Sequence, residues 1–169
     1  RLYTSKAEEK NAVNIIADVK QQQKKAKTIV IQPYGRSARV DRNDIIDDSS
    51  RGFDSSNYIK LIKKLSTKYN LILFAEKPFH QSDDIYTAKP EVDLRGWASI
   101  IDAADYFVGC DSVGQHMARA FDKPGTVILG STYAVNVTYP NWFNIFEKSN
   151  TEKKYSPIRI SGIDCHLAD

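Results

Sequence analysis

The run Gly109-Cys110-Asp111-Ser112-Val113-Gly114-Gln115-His116-Met117-Ala118 brings together a carboxylate, a hydroxyl, an imidazole and a bare backbone position. Apolar residues precede it from Tyr106, and Val113, Met117, Ala120 and Phe121 follow at helical spacing, so it reads as a strand end, a turn and the start of a helix. There a helix presents N–H groups without intrahelical partners and the positive end of its dipole, which together suit an anion such as a diphosphate. Ser112 is a good N-cap. Gly114 lets a ligand approach the backbone closely, and His116, one turn on, shares the face of Ser112. A plainer reading stays open, in which Asp111 and Ser112 cap the helix, Gly114 eases packing and His116 is a satisfied, partly buried side chain.

Two other turns invite the same question. Pro33-Tyr34-Gly35-Arg36-Ser37 follows the strand-like TIVIQ, and Arg39, Arg42 and Arg51 lie farther along the same polar stretch. Backbone and serine donors can cradle phosphate oxygens while guanidinium forks neutralise them. Gly35, Ser37 and Arg51 are the residues for that task, although the turn is no Walker loop, since no Gly-Lys-Ser/Thr follows. A Pro/Gly turn with solvated arginines is the alternative. Glu76 comes directly after LILFA, where dinucleotide folds place an acid on the ribose hydroxyls. A carboxylate there is also commonly just solvated.

The elements that must position these turns follow from periodicity. Ala12, Ile15, Ile16 and Val19 mark a helix over Ala7 to Lys20. Thr28 to Gln32 is short, β-branched and stopped by Pro33, hence a buried strand. The long segment Tyr34 to Gly52 is a loop. Tyr58, Ile59, Ile62 and Leu65 stripe a helix beginning at Ser55 or Ser56. Leu71 to Ala75, Tyr106 to Gly109 and Thr126 to Leu129 read as further buried strands, with helices over Trp97 to Ala103 and Ser112 to Phe121 between them. Glu76 to Pro90 reads as irregular or briefly helical, Val92 to Leu94 as a short strand, Gly130 to about Trp142 as loop, and Phe143 to Phe146 as a last strand. Apolar strands alternating with helices predict a single α/β, Rossmann-like, doubly wound domain with a mainly parallel sheet. The expected division is a leading amphipathic helix and basic linker over 1–27, a Rossmann-like body over 28–148 and a tail over 149–169.

Composition narrows the classes. At 169 residues, 41% hydrophobic and 27% charged, the chain has the balance of one globular domain. Seven basic and three acidic residues crowd into the first 27, leaving a net charge of −1 in the rest. The body therefore lacks the basic stripe expected of a nucleic-acid binder. No stretch is long and apolar enough for a membrane span. Cys110 and Cys165 form neither a zinc pattern nor a disulfide framework, so a reducing cytoplasm is expected. Asp47-Asp48 and Asp83-Asp84 read as solvated loops, and no metal is expected. Because the first residue is Arg1, the expectation is a processed product, a cut piece or the ordered part of something longer, which leaves room for a partner domain.

Taken together these residues resemble the C-terminal domain of the heptosyltransferase family, glycosyltransferase family 9 with the GT-B fold. In that family a strand followed by Pro-x-Gly, a Lys-x-Trp pair before a helix and an Asp-Ser/Thr-Gly-x-x-His-x-Ala motif recur in this order. The likeness runs from about Thr28 to Thr132. Asp111, Ser112, His116 and Ala118 fall at the motif's spacing, and Lys123-Pro124, Val127 and Gly130-Ser131-Thr132 follow as its continuation does. Pro33 and Gly35 match the first turn, Arg51-Gly52-Phe53 stands at Lys-x-Trp, and Leu94-Arg95-Gly96 resembles Leu-x-Gly. Two departures are visible: Val113 occupies the glycine position, with Gly114 one place late, and the segment from Gly35 to Arg51 is longer.

The resemblance implies the nucleotide-sugar-binding half of a GT-B glycosyltransferase, using an ADP-heptose-like donor to build lipopolysaccharide or another surface glycan. It needs no cofactor besides that donor. The implied catalytic residues are Asp111 and His116, facing the sugar or the leaving phosphate. Gly35, Ser37, Arg51, Glu76, Leu94, Ser112, Val113 and Gly114 are the implied substrate-binding residues. The acceptor glycan or lipid-linked sugar, and the catalytic base, would belong to an N-terminal half, so this part alone is expected to be inactive, in the cytoplasm or against the inner face of the membrane. The alternatives are a non-catalytic nucleotide-binding or interaction module that kept the fold, and a nucleotide-sugar epimerase of GT-B architecture.

Overall fold

The computed structural model of the chain describes residues 2–35, 38–41, 44–47, 49–75, 85–88, 93–149 and 151. The first element is α1 (Lys6–Gln23), opened by a capping box in which Ser5 Oγ accepts from Glu8 N at 3.3 Å while Ser5 N donates to the Glu8 carboxylate at 2.6 Å. It ends where Lys24 takes a left-handed conformation, φ 56°. The helix is three residues longer at its C-terminus than its apolar stripe predicts, because Gln23 pairs with the backbone of Leu71 through both ends of its amide.

β1 (Thr28–Gln32) forms over the expected residues, every one of them buried. A hairpin, β2 (Arg39–Asp41) and β3 (Asp44–Ile46), lies within what the sequence presents as loop. The chain then continues through α2 (Ser55–Ser66), β4 (Asn70–Phe74), β5 (Tyr86–Ala88), α3 (Leu94–Ala103), β6 (Tyr106–Cys110), α4 (Val113–Ala120), β7 (Gly125–Leu129), the one-turn α5 (Ala134–Val137) and β8 (Asn144–Glu147). Three expectations are corrected here. Leu94 opens a helix and ends no strand, since Asp93 caps α3 by accepting from Gly96 N at 2.8 Å. Tyr86 to Ala88 is a strand, held by its pairing with β4. A helical turn interrupts the expected loop after Gly130.

Six strands make one sheet in the order β5-β4-β1-β6-β7-β8, with every pair parallel. Parallel strands need crossover helices, and these cover the two faces unequally. Val30, Ile72, Phe107 and Val127 point into a core shared with Ile16 of α1, Ile100 and Ile101 of α3 and Met117 of α4. Trp97 of α3 stacks on Phe74 of β4 with ring centroids 4.4 Å apart. Ile29, Ile31, Leu71 and Leu73 face the other way, onto Tyr58 and Ile62 of α2. The leading helix therefore belongs to the same core as the sheet, and at its outer side Arg95 of α3 pairs with Glu8 at 2.6 Å. That guanidinium, with the Ser5 N–H and hydroxyl, holds the Glu8 carboxyl down at about 2.

Candidate functional site

The sheet order dictates where a ligand would lie. From β1 the chain winds outward through β4 to β5, and from β6 it winds the opposite way through β7 to β8. In open α/β sheets the binding crevice opens at such a reversal, beyond the carboxyl ends of the two central strands. The exits of β1 and β6 border it here, and they carry Pro33 to Gly35 and Asp111 to Gly114.

These exits touch. A Cβ built on Gly35 would lie 3.6 Å from Ser112 Oγ, ordinary contact distance, so the two turns stand side by side across the crevice. The joint is made by Gln32, the last residue of β1, only 3% exposed. Its Nε2 donates to Ser112 Oγ at 3.1 Å, and its Oε1 accepts from Gly114 N at 2.9 Å. Ser112 sits at the N-cap position of α4 but makes no cap bond of its own. The helix is capped from another strand. The Gly114 N–H is thus already committed inside the protein, and a Cβ there would collide with the Gln32 amide and come within 2.9 Å of the Phe107 ring. The bareness of Gly114 serves this packing. Ser112, half-buried, accepts from Gln32, and its own hydroxyl donates to no acceptor recorded among the described residues.

Asp111 is buried, 8% exposed, and accepts from Gln115 Nε2 at 3.3 Å. Arg51 Nη1 lies 4.0 Å from its other oxygen. Arg51 belongs to a turn organised by Asp47, whose carboxylate accepts from Ser49 N at 3.1 Å and from Gly52 N at 2.6 Å. Its Nε donates to Ser49 Oγ at 3.2 Å, which aims the guanidinium toward the β6 exit. The turn is fastened down from several sides. Phe53 N donates to Pro33 O at 3.0 Å, Ser131 Oγ to Ser49 O at 2.6 Å, and the mostly buried Lys148 to Gly52 O at 3.0 Å. Between them the carboxylates of Asp47 and Asp111 reinforce what burial does to the Cys110 thiol, which is pushed up to about 12 and stays protonated.

The structure thus gathers Gly35, Arg51, Asp111, Ser112 and Gly114. It does not gather all of the expected set. His116 is exposed, and its Nδ1 shares a hydrogen bond with Tyr139 Oη at 2.9 Å, the rings meeting edge to face. It is no core histidine, and its described partner lies just after α5. Val113 packs against the core as the first residue of α4. Leu94 lies apart from the crevice, 59% exposed beside Leu2, Tyr3 and Arg95. Ser37 and Glu76 fall outside the described residues. Sequence reading missed Gln32, whose only signal was a polar residue closing an otherwise apolar strand. No group of three or more His, Cys, Asp or Glu that could hold a metal occurs among the described residues. No helix among them is long and apolar enough to cross a membrane.

No protein-family model matches the chain, and no curated protein sequence does. Solved structures do resemble it. The ADP-heptose lipopolysaccharide heptosyltransferase II of E. coli superposes with a TM-score of 0.63 at 16% identity, over 90% of this chain and 46% of that one. The E. coli heptosyltransferase WaaC, solved with ADP, gives 0.58 at 16% identity over 75% and 39%. A family 9 glycosyl transferase from Veillonella parvula DSM 2008 gives 0.60 at 9% identity over 88% and 42%. The chain spans less than half the length of each. What it shares with them is a fold: a six-stranded parallel sheet flanked by helices, of the kind found in GT-B glycosyltransferases.

Proposed function

We propose that the chain is the donor-binding half of a glycosyltransferase, holding a nucleoside-diphosphate sugar of the ADP-heptose type for transfer to lipopolysaccharide or another surface glycan. The observation that carries this reading is the crevice between β1 and β6, where Gly35, Ser112 and Arg51 converge on the N-terminus of α4. The fold shared with heptosyltransferases, one of them solved with ADP, gives that crevice its context.

The roles follow from chemistry. Ser112 donates its hydroxyl to a diphosphate oxygen, the Gly35 backbone lines the opposite wall, and Arg51 balances the charge that grows on the departing diphosphate. Preorganised donors aimed at developing charge are the usual source of such catalysis. Asp111 and His116 face the sugar side, Glu76 and Ser37 belong to the nucleotide side, and no metal takes part. The acceptor and the base come from a second half, without which transfer loses the roughly 10²–10⁴-fold of general-base help and the gain from orienting the acceptor. One observation favours a second reading. Gln32 already occupies the Gly114 N–H, which a donor site would otherwise offer to phosphate, and this would suit a non-catalytic interaction module.

Titration of the chain with ADP, UDP and GDP, followed by amide NMR, tests the proposal. Saturable binding that shifts the Gly35 and Ser112 amides is expected. A folded sample showing no saturable binding up to millimolar concentration, or shifts confined to other regions, overturns it.

A further inference from the structure

The two faces of the sheet are finished to different degrees. Toward α1, α3 and α4 the strands are roofed, and Val127 and Leu129 of β7 are 0% exposed. On the opposite face α2 lies over β1 and β4 and shares a buried cluster with Val108 and Cys110 of β6, but it leaves the far side of β6, β7 and β8 more open. Their outward side chains, among them Tyr106, Val108, Ile128 and Phe146, floor a groove of about 630 Å³ whose far wall is Leu61 and Leu65 of α2. Ile128 is half-buried and Phe146 is 66% exposed. Parallel sheets are ordinarily buried on both faces, so an apolar groove left open on one face marks a layer that the described residues do not complete. The groove is separate from the crevice at Gly35 and Ser112, since it runs across the sheet's face toward Lys27 and Asp105, at the amino ends of β1 and β6.

We propose that residues 152–169 of this same chain seat in the groove and complete the missing layer. Three observations point to them. The first is position: β8 is the edge strand bordering the groove, Phe146 is one of its residues, and the chain leaves it at Lys148, so the following segment starts at the groove's margin. The second is reach. Eighteen residues span about 27 Å even as a helix, at roughly 1.5 Å per residue, whereas a five-residue strand covers only about 17 Å at roughly 3.3 Å each. The third is composition, because the segment carries Tyr155, Ile158, Ile160, Ile163 and Leu167, and the last three are spaced three and four apart, as one apolar helix face requires. An intramolecular occupant also meets no cost of association, unlike a second copy.

The cysteines supply the test. Cys165 lies in the segment, whereas Cys110 is 0% exposed, so a nitroxide label added to the folded 169-residue chain marks the segment alone. In methyl NMR spectra the label is expected to cause a selective loss of intensity at Leu61, Leu65 and Ile128, with Ile16 and Met117 on the far layer kept. In a companion variant, Ile160→Asp with Ile163→Asp, the groove signals should recover and the unfolding midpoint should fall. Intensity loss at Ile16 and Met117 instead, or at neither set, overturns the proposal. So does loss that appears when an unlabelled isotopic chain is mixed with nitroxide-bearing copies, because a second copy would then be the occupant.

Discussion

The exit of β6 reaches its helix through two residues, Asp111 and Ser112, whereas the exit of β1 runs from Pro33 to Asp54 before α2 begins. Both open on the same crevice. At the short exit the polar atoms are largely used inside the protein: Gly114 N–H by Gln32, Asp111 by Gln115, His116 by Tyr139. At the long exit an internally braced turn carries Arg51, nineteen residues beyond the last position of β1, back toward the crevice. The difference separates two tasks that sequence motifs run together. One exit fixes geometry and the other brings charge.

Gln32→Leu breaks the comparison most severely, because it removes the cap while nearly preserving volume. A buried N–H left without a partner costs about 1–3 kcal/mol, so urea denaturation should show a loss of that size, together with altered amide shifts at Ser112 and Gly114. If stability is unchanged, the short exit does not depend on its neighbour strand. Arg51→Ala should do the reverse. Loss of a hydrogen bond to a charged group, worth about 1.5–3 kcal/mol, should weaken nucleoside-diphosphate binding by roughly ten- to a hundredfold, most strongly at low salt, with little change in the unfolding midpoint. Calorimetric titration at two ionic strengths measures this. The smallest effect is expected from His116→Ala. Exposed and bonded to Tyr139, the side chain should contribute within about 0.5 kcal/mol to stability, and nucleotide affinity should fall less than for Arg51→Ala. A larger fall in affinity would return His116 to the centre of the site.

How far the sequence could be read depended on whether a feature is local. Thr28 to Gln32 was legible as a strand because four β-branched residues and one glutamine ended at a proline, and its burial on both faces agrees. The stripe of α2 was equally plain, and burial of Tyr58 and Ile62 bears it out. β5 was not legible, since Tyr86-Thr87-Ala88 has no period of its own and is a strand only by virtue of β4 beside it. The hairpin at Arg39 to Ile46 was hidden in the same way by its polar composition. At the site, the Asp111–Ser112 junction was visible in the chain's own order. Gln32 was not, because its role exists only once Gln32 and Gly109 come into register across two parallel strands. Arg51 could be singled out by charge, but not its approach to Asp111 through the Asp47 turn.

That register also bears on how the chain assembles. β1 lies between β4 and β6, so its second neighbour is made of residues far downstream: Ile29 pairs with Tyr106 and Ile31 with Val108. Closing so long a loop costs entropy before the pairing returns any stability, and parallel sheets of this kind form slowly. Until β6 arrives, one side of β1 presents unpaired backbone groups between Ile29, Val30 and Ile31, an apolar edge suited to wrongly joining another chain. A piece ending after α3 would keep that edge permanently. Any attempt to express the crevice in smaller form must therefore retain β6, or it will yield aggregates in place of a binding domain.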